Sequence, residues 1–166
     1  MTEVRFYHLQ RMPLERALPL LLQRTLDRGW RAVVLADSQE RVQALNGQLW
    51  TFGKDSFLPH GTAREGDAPL QPVWLTDQDE NPNGADVLFL VDGAESEHLG
   101  DFELCCDMFD GRDETAVAQA RSRWTACKNT GLHLTYWQQN ENGRWEMKAE
   151  ENAAPKDGEG PTDKTG

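Results

Sequence analysis

Two short runs without a polar side chain, residues 32–36 (AVVLA) and 87–91 (VLFLV), constrain this chain more than any other feature. A strand with one wet face alternates polar and apolar residues, so an unbroken apolar run marks a strand buried on both faces. Such strands need helices above and below. The sequence supplies them: residues 14, 17, 18, 21, 22 and 26 are apolar at helical spacing before the first run, and Val42, Leu45 and Leu49 follow it. Residues 4–9 (VRFYHL) alternate and read as a first strand. Strand, helix, strand, helix at this spacing predicts a parallel α/β sheet with right-handed crossovers. The expected fold is one three-layer αβα sandwich with a largely parallel, mixed sheet.

Local signals refine this outline. Pro19 interrupts the first helical pattern, so the helix either kinks there or begins near Leu18. Asp37 with Glu40 three residues on suggests a capping box for the second helix. Residues 51–70 form a connection longer than the usual limit of about 12–15 residues, which is uncommon unless functional or mobile. Its first half is apolar, with Phe52, Phe57, Leu58 and Pro59, and its second half, 61–68, reads as flexible. Residues 73–76 and 102–109 are further strand candidates. Asn142-Gly143 predicts a type I′ hairpin turn, with Trp145 and Met147 alternating on the return strand. The folded domain is expected over 1–149 and a disordered acidic tail over 150–166, which has no large apolar residue.

The stretch 108–137 is the most informative for function. Asp113 and Glu114 favour a helix start, residues 116–128 contain neither Gly nor Pro, and Gly131 marks the stop. A strand follows, with Leu132, Leu134 and Tyr136 on one face and His133, Thr135 and Trp137 on the other. On the helix, Val117, Arg121, Trp124 and Lys128 share one stripe. Two cations around an indole suit a short acidic peptide that ends in an aromatic residue. The structural alternative makes Trp124 core, with Ala120 and Cys127, and leaves Arg121 and Lys128 as its solvated flanks.

Several function classes are disfavoured. The net charge is −11, from 28 acidic and 17 basic residues, so no broad nucleic-acid face is expected, although a local basic patch survives. The three cysteines make no disulfide framework. No run of about 18 apolar residues exists, and a soluble, cytoplasmic protein with no membrane contact is expected. The first two strand-to-helix junctions lack glycine, and neither phosphate-loop pattern occurs, which makes this a Rossmann-like sheet without a phosphate loop. VLFLVDGAESE resembles the magnesium-holding acidic motif of nucleoside triphosphatases. A degenerate nucleotide-dependent enzyme using Asp92 is therefore the alternative to a non-catalytic adaptor. No cofactor and no metal site is expected: the four histidines have no i+4 partner and no CxxC companion.

Taken in order, FYHL, LLLQRTLDRGWRAVVL, LWTFGKDSFLPHG, PVWLT, ADVLFLVDGA and FDGRDETAVAQARSRW…GLHLTYWQ resemble the chi subunit family of bacterial DNA polymerase III holoenzyme. The resemblance runs from about Val4 to Lys148. It implies a non-catalytic accessory subunit of the clamp-loader complex that binds the acidic, Phe-terminated tail of single-stranded DNA-binding protein. It also implies pairing with a psi subunit or an equivalent clamp-loader component. The family's central tail-binding Arg corresponds to Arg121, followed by Trp124. Val117 stands where a basic residue occurs in one family member, with Lys128 or Arg123 as substitutes for that charge. The psi-facing surface corresponds to Trp50, Phe57, Pro59 and His60.

Overall fold

The computed structural model describes residues 2–51 and 58–153. The strands β1 (Glu3–Leu9), β2 (Ala32–Leu35), β3 (Val73–Thr76), β4 (Val87–Val91), β5 (Leu104–Asp110), β6 (His133–Gln139) and β7 (Trp145–Glu151) form one sheet. Its order is β3-β2-β4-β5-β1-β6-β7, parallel throughout except for the β6–β7 hairpin. Helices α1 (Leu14–Asp27) and α2 (Gln39–Trp50) cover one face, and α3 (Glu114–Asn129) covers the other.

The two apolar runs behave as their composition demands. Val34 and Phe89 point into the core beneath α1 and α2, where Leu18, Leu22 and Leu45 meet them. Val33, Leu35, Leu88 and Leu90 point the opposite way, toward Phe6, Phe109 and Ala120 of α3. Each run thus feeds two cores at once, which is why it contains no polar residue. The three-layer α/β expectation holds.

The local expectations divide. Helix α1 begins at Leu14, ahead of the proline, with Pro19 buried inside it, so a start near Leu18 is incorrect. Helix α2 is capped by Ser38, whose side chain accepts from the Arg41 backbone N–H at 3.1 Å. That places Glu40 at the second helical position, where it cannot close a box with Asp37. Strand β5 runs two residues later at its start than Phe102, which is buried just before it. The 61–68 segment is tied down: Gly61 bridges Trp74, and Glu65 accepts from both the backbone N–H and the hydroxyl of Thr62. The hairpin is not type I′, because that turn needs positive φ at both central residues and only Gly143 has it. A bond from Gly143 N–H to Asn140 C=O places Glu141 and Asn142 at the centre of the turn, and the left-handed residue follows it. Finally, Glu150 and Glu151, assigned to the tail by composition, pair with Thr135 and Leu134 in the sheet. Phe52, Phe57 and residues 154–166 lie outside the described residues.

Candidate functional site

Helix α3 is placed by its ends. Asp113 accepts from the backbone N–H groups of Thr115 and Ala116, and Gly131 takes φ 84° just past the last turn. Only Ala120 is fully buried, while Val117, Trp124 and Cys127 rest half-buried on the sheet core. Arg121 and Lys128 are exposed. The stripe therefore divides: its apolar members anchor the helix, and its cations remain on the outside. Elements of both sequence readings are present, since Trp124 packs on the core yet keeps one side at the surface.

Beneath this face lies a continuous group of rings. The indole of Trp124 meets Phe6 edge-on at 5.3 Å between centroids and Tyr136 at 5.9 Å. Tyr136 approaches Phe109 at 6.1 Å, and its hydroxyl is 2.5 Å from Nδ1 of His8. Burial pushes the His8 imidazole below its ordinary value, and the charge of Arg121 adds to this against the Gly111 backbone and Asp110. Burial raises the Tyr136 phenol, and Arg121 opposes that shift. Arg121 is thus electrostatically coupled to Tyr136 and His8, which come from β6 and β1. Stripe arithmetic on α3 alone did not include either residue. The signal was present in the alternation of β6, which set Tyr136 on the same face as Leu134, beneath the helix.

Two consequences can be measured. A Cβ on Gly111 would sit 2.0 Å from Cδ2 of His8, a rigid buried ring tied to Tyr136. Gly111→Ala is expected to destabilise the fold by about 1–3 kcal/mol through overpacking, read as a lower urea midpoint; an unchanged midpoint refutes the close approach. Second, a histidine whose folded value lies below its unfolded one adds stability above the unfolded value, about 6.5, and loses it as pH falls. Wild type should lose stability as pH falls below about 6.5 more steeply than His8→Gln. Parallel pH profiles would contradict this.

The remaining predicted residues fall into other settings. Arg123 faces away from the stripe and grips Asp107 with two bonds, Nε–Oδ2 at 2.7 Å and Nη2–Oδ1 at 2.9 Å. Both side chains are nearly buried, 11% and 4% exposed. Burial lifts the Asp107 carboxyl even against that fork. Arg123 is therefore matched internally and does not stand in for a missing surface cation. Lys128 is 3.6 Å from Glu151 at the end of β7, and Asn152 donates to its backbone carbonyl. At the C-terminal end of α2, exposed Trp50 lies 4.8 Å from the buried ring of His60, with half-buried Pro59 beside it. Three of the four residues expected at the second surface therefore come together, and Phe57 lies outside the described residues.

Ligands of open parallel sheets bind beyond the carboxyl ends of the strands. Here that crevice is a cavity of about 410 Å³ lined by Leu9, Arg41, Asp92 and Asp110 among others. It is crossed by the protein's own ion pairs. Arg41 reaches Asp92 at 2.5 Å and Glu15 at 3.0 Å, and Arg112 reaches Asp110 at 3.4 Å. The carboxylate that the nucleotide reading assigns to magnesium thus meets a guanidinium. Among the described residues no group of three His, Cys, Asp or Glu side chains converges on a metal position, and no helix is long and apolar enough to cross a membrane.

Fold and site together define a doubly wound α/β domain without a phosphate loop, whose α3 carries exposed cations and packs Trp124 on an aromatic cluster. The sequence model of the DNA polymerase III chi subunit, HolC, matches residues 1–135, and the chain belongs to that family. The family is an accessory subunit of the polymerase III holoenzyme, acting in DNA replication. The chain is also similar to the probable DNA polymerase III subunit chi of Rickettsia prowazekii (strain Madrid E), 29% identical over 91 residues. That match spans 55% of this chain and 55% of the relative.

Proposed function

We propose that this chain is a non-catalytic cytoplasmic adaptor that holds the acidic C-terminal tail of single-stranded DNA-binding protein against α3 and links it to the clamp loader. One observation carries the reading: exposed Arg121, whose charge acts on the Tyr136 phenol, shares α3 with half-buried Trp124, and the Trp124 and Tyr136 rings meet to form an apolar wall. A planar guanidinium is suited to a terminal carboxylate, which it meets with two parallel donors. The rings supply the neighbouring surface for a C-terminal phenylalanine. Val117 extends the wall, and Lys128, shared with Glu151, draws the acidic run from a distance. Titration of a fluorescent acidic peptide ending in Phe tests this against the same peptide without the Phe. The full peptide should bind in the micromolar range, about −8 kcal/mol, and the truncated one much more weakly; equal affinities would refute the site.

The second surface, Trp50 with Pro59 and His60, docks the psi subunit or an equivalent clamp-loader component in this reading. Trp50 is 58% exposed, meets the His60 ring and belongs to neither apolar core cluster, so its truncation leaves both clusters packed. Exposed tryptophans at interfaces are frequent hot spots, worth about 2 kcal/mol or more on truncation. Trp50→Ala is expected to fold normally and lose the copurifying holoenzyme partner. Undiminished copurification places that interface elsewhere.

A further inference from the structure

The face of the sheet that carries α1 and α2 has a second feature, independent of α3. Helix α1 packs over β2 and β5. Between α1 and the β6–β7 hairpin runs a groove made of two cavities, about 410 and 140 Å³, joined where both are lined by Arg5, Tyr7, Leu21 and Arg24. The chain carries 28 acidic and 17 basic residues, yet among the described residues no Asp or Glu lines either cavity. Four arginines do: Arg5, Arg24, Arg28 and Arg144.

Arg5 is committed, paired with Glu3 at 2.9 Å and set over the Trp137 ring at 5.3 Å. The other three pair with no carboxylate among the described residues. Aromatic rings alternate with them along the groove. Arg28 stacks on Trp30 at 3.9 Å, and Trp145 meets Tyr7 edge-on at 4.8 Å. Trp30, Trp137 and Trp145 all keep exposed surface. Gln139 adds a carbonyl oxygen with no partner among the described residues, while its amide nitrogen donates to Gly143.

We propose that this groove takes a short stretch of single-stranded nucleic acid. Guanidinium groups that follow a backbone, interleaved with rings on which bases stack, are what sequence-tolerant single-strand binding requires. An acidic peptide would use the cations but would leave the row of rings without a purpose. The net charge of −11 belongs to the whole chain, and Glu3, the carboxylate beside the groove's Arg5, is already matched by it. The site is small and weak, and a strand spooled from a neighbouring single-strand-binding protein would reach it at high local concentration.

The test is anisotropy of a labelled oligothymidylate with the full chain at low salt. With three arginines each meeting one phosphate at about −0.7 apiece, the slope of log affinity against log salt should be about −2. Arg24→Ala/Arg144→Ala removes two exposed side chains and should weaken binding about tenfold or more, with the slope falling to about −0.7. Arg121→Ala, on the opposite face, should leave oligonucleotide binding unchanged, so this groove and the α3 site fail separately. Absence of binding by wild type, or equal binding by the double variant, overturns the proposal. Displacement by polyglutamate as effective as by unlabelled oligonucleotide overturns it in favour of an acidic peptide.

Discussion

Replacing Arg123 with methionine is expected to cost the fold about 3–5 kcal/mol, the loss incurred when one partner of a buried ion pair is removed. The reason lies in the orphan: Asp107 is 3% exposed, and without the fork its carboxylate would be buried and uncompensated, with the charge of Glu95 adding to the cost. In a domain of this size each kcal/mol lowers the melting temperature by about 2–4 °C, so a drop on the order of 10 °C should appear. Arg123→Met with Asp107→Leu should recover most of it, since a well-packed apolar pair commonly matches a buried ionic one. Peptide binding at α3 should persist in the double variant. A loss of less than about 1 kcal/mol in Arg123→Met would mean that the pair is hydrated in solution and worth no more than a surface bridge.

That pair also shows where reading the sequence stops. Asp107 and Arg123 are 16 residues apart, one in a strand and one in a helix, and nothing local connects them. Helix α3 buries only Ala120 fully, so its pattern left open which arginine faced inward. The strands were legible for the opposite reason. An unbroken apolar run such as VLFLV permits only one environment, and alternation in β6 put Tyr136 and Trp137 on their observed faces. The start of α3 was legible because Asp113 and Glu114 precede an alanine-rich run, where acidic residues favour a helix N-terminus.

The misread elements share a cause. Glu150 and Glu151 look like tail by composition, yet β7 is an edge strand, and edge strands carry charges to discourage further pairing. Ser38 and Asp37 are both good caps, and only the fold decides between neighbours. Glu65 looked like part of a flexible loop because its two bonds to Thr62 form a local clasp that periodicity does not register. The same holds for His8: its bond to Tyr136 spans 128 positions, and no motif predicts it.

Arg121→Ala carries the other large expected effect. A charge-assisted contact to a terminal carboxylate is worth about 1.5–3 kcal/mol, so the acidic, Phe-terminated peptide should bind roughly tenfold or more weakly. The fold should be intact, because the side chain is exposed and bonds to no other residue among those described. Affinity of wild type should fall as salt rises, since the acidic run and the cations of α3 attract through solvent. Trp124→Ala would be a poorer probe, since its ring also packs on Phe6 and its loss confounds binding with stability. The decisive measurement is therefore the dissociation constant of the tail peptide for wild type and Arg121→Ala, side by side at low and high salt. The adaptor account predicts a tenfold or greater gap at low salt that narrows as salt rises. Equal affinities at both salt concentrations would contradict it and leave α3 as ordinary helix surface.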